Sequence, residues 1–324
     1  MSREAIDHAP PTAAFIERTV DDVEALFEGE EGEEWELEHV QLTPAPLGAW
    51  YRIVPLPDLT IHWYRCNAAL HVREYHKRDL VYLAIPLSAD NPFRWRGIDL
   101  NADQALLYHP GQEHDYILPR NVRFMGISLG RRLFRRMGWN LDEAPLLRMD
   151  QRNVARLAAE ANRVTQSVLR NDVSKESLEV MQERLALHLE KLLAPALNDR
   201  GAASVSPSES PRLYELACAA RQEMLSGGLT KKLDVDQLAA TVATSTRTLY
   251  RAFRHCYGVG PYEYHTLLRF QAFRRMARME GFRRGIVTDM ALEYGFSHLG
   301  RFASAYRRHY GELPRDSIRR WLKE

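Results

Sequence analysis

Cysteine is scarce in this sequence and scattered. Cys66, Cys218 and Cys256 are its three thiols in 324 residues. No motif pairs them, so buried or free thiols in a reducing compartment are expected. No apolar run approaches the roughly 20 residues a membrane helix needs, and no membrane partner is expected. The opening stretch MSREAIDHAPPTAAFIERTVDDVEAL has no basic-then-apolar leader pattern, which argues for a cytoplasmic protein. A His-x-His pair is also missing. His71, His76, Asp79 and His114 are too dispersed in the chain to promise a converging ligand set, so neither a metal nor another cofactor is expected.

Net charge is nearly absent as well, at +1, but it is unevenly divided. Residues 201–324 hold 20 Lys plus Arg against 12 Asp plus Glu; the first 200 hold 24 against 31. A basic region joined to an acidic-leaning one suggests a polyanion-binding domain attached to something that does not bind polyanions. Hydrophobic content of 45% with 27% charged residues is that of an ordinary globular chain, long enough to bury two cores.

Residues 1–34 form an acidic lead-in, with Pro10-Pro11 and a short helix expected near Ala13 to Phe27. Eleven acidic residues lie between Glu17 and Glu38. They read either as a solvated segment or as an arm that docks on the basic C-terminal region and holds it inactive. From residue 35 to 130 the pattern is short β-branched and aromatic runs: WELEHVQLT, AWYRIVPL, LTIHWYRC, DLVYLAIPL, QALLYHP, DYILP and VRFMGISL. Pro, Gly, Asn and Asp punctuate them, as in a sandwich or small barrel. Core packing is the default reading of Trp35, Trp50, Trp63 and Trp95, and one or two of them could line a pocket. Pro110-Gly111-Gln112-Glu113-His114 resembles the second motif of cupin (jelly-roll) barrels. His71, His76, Trp95 and His114 are the candidate effector-binding residues.

Residues 131–198 turn helical, with long segments at Val154 to Leu169 and Ser174 to Leu197. Leu178, Met181, Leu185, His188 or Leu189, and Leu192 recur at seam spacing. That stripe either packs on its own barrel or pairs with the same helix of a second chain, making residues 174–197 a homodimer interface. Residues 199–211 (NDRGAASVSPSESP begins one residue earlier) have the composition of a linker.

Residues 212–324 contain one module written twice. Leu249, Phe253, Gly258 and Pro261 recur 53 positions later as Phe302, Tyr306, Gly311 and Pro314. Upstream of each turn, Leu238, Ala239 and Ser245 match Met290, Ala291 and Ser297. Asp234 and Ser245 are expected helix caps in the first copy, and Ser297 in the second. A long helix, about Tyr262 to Met279, joins the copies. Each copy reads as a helix-turn-helix. The outward face of the first reader helix carries Thr246, Arg247, Thr248, Tyr250, Arg251 and Arg254. That of the second carries His298, Leu299, Arg301, Ser304, Arg307 and Arg308. Arginines there can fork onto guanine, and the polar side chains can reach phosphates.

LAATVATSTRTLYRAFRHCYGVGPYEY and MALEYGFSHLGRFASAYRRHYGELP closely resemble the DNA-binding domain of the AraC/XylS family of bacterial transcription regulators. Ala243 departs from the pattern at a turn position where Gly is common. The resemblance implies base contacts from Arg247, Tyr250 and Arg251, and from Leu299, Gly300, Arg301 and Ser304. Position 304 often carries Arg, so the first copy is expected to dominate. A cupin-like sensor, dimerising helices, activation and RNA polymerase as a partner are also implied.

The expected fold class is α+β with two domains. The first is a cupin-like (jelly-roll) β-barrel with a helical hairpin. The second is an all-α domain with two helix-turn-helix motifs joined by a long helix. The expected function is a nucleoid-associated regulator that binds double-stranded DNA and responds to a small-molecule effector, and is not an enzyme. The rival readings are a metal-dependent cupin enzyme with a DNA-binding tail and a DNA-binding adaptor without sequence preference.

Overall fold

The computed structural model describes residues 15–25, 35–76, 81–100, 104–108, 113–138, 146–148, 151–170, 174–198, 210–280, 283 and 285–322. The acidic residues 26–34, the Pro110-Gly111-Gln112 motif and the linker at 199–209 lie outside them. The first half is built from β1 (Ile16–Val20), β2 (Trp35–Gln41), β3 (Ala49–Pro55), β4 (Leu59–Cys66), β5 (Leu70–His76) and β6 (Val81–Ser88). After these come β7 (Phe93–Trp95), β8 (Ile98–Leu100), β9 (Gln104–Tyr108), β10 (Glu113–Leu118), β11 (Val122–Leu129) and β12 (Leu146–Arg148). They form a seven-stranded sheet, β1-β3-β4-β11-β6-β9-β12, and a five-stranded sheet, β2-β5-β10-β7-β8. Among the described residues the strands make two sheets that share one core and no closed barrel, so the expected β-rich region is present and the barrel itself is not shown.

The burial pattern follows from what covers each face. In β6, Val81, Leu83 and Ile85 face helices while Tyr82 and Ala84 face the smaller sheet. All five are buried, so the strand reads as an unbroken apolar run. The covering helices are α2 (Gln151–Leu169) and α3 (Lys175–Asn198), preceded by a short α1 (Arg131–Arg136). Leu157, Ala161 and Val164 meet Leu185, Leu189 and Leu192 over the large sheet, with Leu178 and Met181 at the edge of the same cluster. The seam stripe of α3 is therefore consumed within its own chain. It is not available to a second copy, because its apolar surface is already out of water. Val180 and Leu187, on another face, are 60% and 55% exposed.

The lead-in is a second correction. Ile16–Val20 pairs antiparallel with β3, and a short 3-10 turn follows at Val23–Ala25. The expected helix is replaced because Val20 and Val23 can be buried in the sandwich, which outweighs weak helical propensity.

The second half comprises α4 (Ser210–Ser226), α5 (Val235–Thr241), α6 (Thr246–Tyr257), α7 (Pro261–Glu280), α8 (Ile286–Glu293), α9 (Leu299–Tyr310) and α10 (Pro314–Trp321). Tyr264, Leu267, Leu268, Phe270 and Phe273 of α7 serve one core shared by both copies. Val40 of the small sheet and Leu42, just past its strand, join that core, so the two halves are docked. Among the described residues no helix is long and apolar enough to cross a membrane.

Docking is polar as well as apolar. Asp22 and Arg274 are each 1% exposed and hydrogen-bonded at 2.6 Å. Arg274 also donates to Tyr306 at 2.5 Å, and Asp22 accepts from Trp321 and, at 3.1 Å, from Arg320. Removing one partner of such a pair leaves a buried charge, typically a loss of about 3–5 kcal/mol. A second bridge runs through His71. Arg221 Nε donates to the Tyr264 hydroxyl at 3.2 Å, which lies 2.6 Å from His71 Nδ1, and His71 Nε2 lies 3.0 Å from Asp115. Each donor is satisfied if Tyr264 donates to Nδ1 and His71 Nε2–H donates to Asp115. Burial pushes the Asp115 carboxyl up, but the adjacent His71 and Arg73 outweigh it and hold the group below the usual carboxylate range.

Candidate nucleic-acid interface

The two helix-turn-helix copies share the backbone geometry of the turn but not the caps of their helices. In the first, the Asp234 side chain accepts from the amides of Asp236 and Gln237, starting α5. At the turn the Thr244 amide returns to the Ala239 carbonyl at 2.9 Å, and Ala243 takes φ +51°. Ser245 then caps α6 by accepting from the Thr248 amide. In the second copy the Phe296 amide returns to Ala291 at 2.7 Å, and Gly295 occupies the turn with φ +71°. Glycine is required there twice over: its φ is left-handed, and a Cβ would lie 2.0 Å from the Thr230 carbonyl oxygen.

The caps of the second copy differ from expectation. The N-cap of α9 is His298 rather than Ser297, and it makes no side-chain cap bond. α8 likewise starts at Gly285 without one.

The reader helices expose one stripe each. Leu249, Ala252, Phe253 and Cys256 turn inward on α6, leaving Arg247, Tyr250, Arg251 and Arg254 outside. Thr246 and Thr248 are half-buried, their hydroxyls held by Asp236 and Ser245. They serve the turn before they can serve a ligand. On α9, Phe302, Tyr306, His309 and Tyr310 turn inward, and Leu299, Gly300, Arg301, Ser304, Arg307 and Arg308 face out with His298 beside them. Among the described residues, Arg247, Arg254, Arg301, Arg307 and Arg308 have no carboxylate within ion-pairing reach. The arginines at the docking interface are, by contrast, engaged by Asp22, Glu38 and Glu312. A surface that leaves these five guanidiniums without a carboxylate partner among the described residues, on two exposed helix faces, is suited to an external polyanion.

The four effector candidates are not brought together. His71 points out of the sandwich into the docking interface, and the side chain of His76 lies outside the described residues. Trp95 and His114 are buried on the inner face of the small sheet, at 8% and 1% exposure. Glu74, which bonds the Tyr116 hydroxyl at 3.0 Å, shares that face. His62, a packing residue, bonds Ser128 at 2.8 Å. All three thiols are free, with Cys66 and Cys256 buried.

Docking of the acidic Glu17–Glu38 stretch on the basic region was one of the two readings offered above, and Asp22 and Glu38 do pair with Arg274 and Arg221; sequence reasoning missed those individual partners, together with Asp115 and Tyr264. One signal was available. Arg274 lies on the inward stripe of α7 between Phe270 and Ala277, and a cation there needs a buried partner.

Comparison with known proteins converges on the same region. The family described as a helix-turn-helix domain matches residues 238–320. A Pseudomonas putida XylDLEGF operon transcriptional activator is 33% identical over 102 residues, 32% of either chain. A probable thc operon regulatory protein of Rhodococcus erythropolis is 30% identical over 150 residues, covering 42% of this chain and 44% of that one. A crystal structure of a Chromobacterium violaceum transcriptional regulator with an AraC-type DNA-binding domain is 28% identical. It covers 34% of this chain and 94% of that one, with a TM-score of 0.31. The match thus spans about a third of the length of the first of these relatives.

Proposed function

We propose that this chain, whose residues 238–320 are an AraC/XylS-type DNA-binding domain, is a sequence-specific transcription activator acting on double-stranded DNA. The observation that carries the reading is the pair of reader helices, α6 and α9, exposing Arg247 and Arg254 on one and Arg301, Arg307 and Arg308 on the other, none of which meets a carboxylate among the described residues. Two such helices on one module would enter successive major grooves on one face of the duplex, about 34 Å apart. Arg247, Tyr250 and Arg251 read base edges in one groove, and Leu299, Gly300, Arg301 and Ser304 in the next. Arg254, Arg307 and Arg308 hold phosphates.

The curated relatives are named as operon activators or regulators, which supports activation; in this reading RNA polymerase is the partner and the cytoplasm the site of action. The N-terminal sandwich is the sensor in this reading. Its buried Trp95 and His114, with Glu74 and Tyr116 on the same inner face, are the side chains through which a small effector would act. Such a ligand works only by favouring one arrangement of the halves over another. A second copy of the chain would pair through the Val180–Leu187 face of α3. Selection of full-length protein on randomised duplexes should recover a motif with two half-sites one helical turn apart. Flat affinity across all sequences would refute the proposal and leave a nonspecific adaptor.

A further inference from the structure

A helix ends with carbonyls that lack intrahelical donors, and something outside must supply them. Both reader helices obtain such donors from the N-terminal half. At the end of α6, the His255 carbonyl accepts from the Arg94 guanidinium, and the His255 ring bonds the Gly97 carbonyl at 2.9 Å. At the end of α9, the His309 carbonyl accepts from the Ala45 amide at 3.0 Å. The His309 ring bonds the Gln41 carbonyl, also at 3.0 Å. Gly311, just beyond α9, lies against Pro46, so closely that a Cβ would come within 2.7 Å of the proline ring.

The elements that make these contacts are themselves stiff. Ala45 stands between Pro44 and Pro46, and it alone of the three has an amide hydrogen to give. Its loop is pinned by Gln41, which donates to the Thr43 and Ala45 carbonyls at 2.9 and 2.7 Å. Asn67 adds a bond to the Pro46 carbonyl at 3.0 Å and accepts from the Gly48 amide at 2.8 Å. On the other side, Arg94 is also held by Asp99 at 2.5 Å across the β7–β8 hairpin. Elsewhere the two copies are joined by α7 and by the close approach of Thr230 to Gly295. The small sheet and the loop after β2 add a third tie, between the ends of the reader helices away from Arg247 and Leu299.

We propose that the five-stranded sheet and the Leu42–Leu47 loop brace the two reader helices at a set separation and angle, so that the N-terminal half specifies the spacing between the two half-sites in DNA. This rests on the DNA-reading function proposed above. In the observed arrangement the brace leaves the outward stripes of α6 and α9 exposed, so docking and reading are compatible. Releasing either tie frees one reader to swing about α7 while its own side chains stay in place.

Two full-length variants test it from opposite sides. Arg94→Ala removes the donor to α6. Asn67→Ala loosens the Pro-Ala-Pro loop and touches no residue of the C-terminal half among the bonds described. Affinity is measured on duplexes carrying the recovered half-sites at the selected spacing, and with one base pair inserted or deleted. A one-pair change rotates and shifts one half-site off register, and wild type should lose about 30-fold or more. Each variant should lose less than about fivefold, with single half-site affinity within about twofold of wild type. If the variants keep the wild-type spacing profile, the brace is overturned. If they lose single half-site binding, it is overturned too, because the contacts would then be maintaining the readers' own fold. A wild-type protein that recovers no motif removes the DNA-reading function itself, and the brace with it.

Discussion

At the residue scale, Ala243 and Gly295 occupy equivalent turns with unequal comfort. Both have positive φ, where an L side chain costs about 1–2 kcal/mol. Ala243 is exposed and accepts that cost, whereas Gly295 faces the Thr230 carbonyl and could not. Ala243→Gly should therefore stabilise the domain by about 0.5–1 kcal/mol, part of the relief being offset by glycine's larger unfolded-state entropy. Gly295→Ala should destabilise it by about 2 kcal/mol or more. Urea unfolding reads both, and a destabilising Ala243→Gly would contradict this account of the turn. The sequence marked Ala243 as a departure from pattern, and the structure supplies the conformation that makes it costly.

At the element scale, the two readers are not equals. α6 begins on a side-chain cap and presents Arg247, Tyr250, Arg251 and Arg254. α9 begins uncapped and presents Leu299 and Gly300 near its start. Arg251→Ala should cost about 1–3 kcal/mol and relax selectivity at one base position. Ser304→Ala should cost much less, since a single hydroxyl cannot make a bidentate fork. Binding measured on single-base variants of the operator separates them, and equal losses without base preference would reverse the ranking. Both reader helices were legible from the chain because stripe, turn and stop glycine recur at fixed spacing, a purely local signal. The α3 stripe was legible as apolar but not as to its partner, since periodicity states that a face is buried and not against what.

At the scale of the whole molecule, docking has a pH signature. Burial depresses His39, His265 and His309 to about 4 each. His309 is at the interface itself, where its ring donates to the Gln41 carbonyl. The unfolded chain, with histidines near 6.5, takes up these protons first as pH falls. Stability is therefore complete above about pH 6.5 and declines by about 1.4 kcal/mol per pH unit per histidine down to about pH 4. Urea midpoints should be lower at pH 5 than at pH 7.5, and His309→Phe should reduce the difference by about a third, leaving the share of His39 and His265. A midpoint unchanged over that range would mean that these rings do not need to be neutral.

What the sequence determined by itself was whatever neighbours in the chain decide. The strands Leu59–Cys66 and Val122–Leu129, the caps Asp234 and Ser245, and the duplicated reader with its basic stripe all follow from short-range pattern and backbone chemistry. Only the tertiary structure decided what meets what. β5 escaped detection because its alternation, Leu70-His71-Val72-Arg73-Glu74, breaks at Glu74, a charged residue on the inner face, while polar His71 is buried on the other face against the C-terminal half. Asp22 finds Arg274 across 252 positions of chain, and His71 finds Tyr264 across 193. No local pattern encodes such pairs, because what selects them is the cost of burying an uncompensated charge or donor once the two halves have come together.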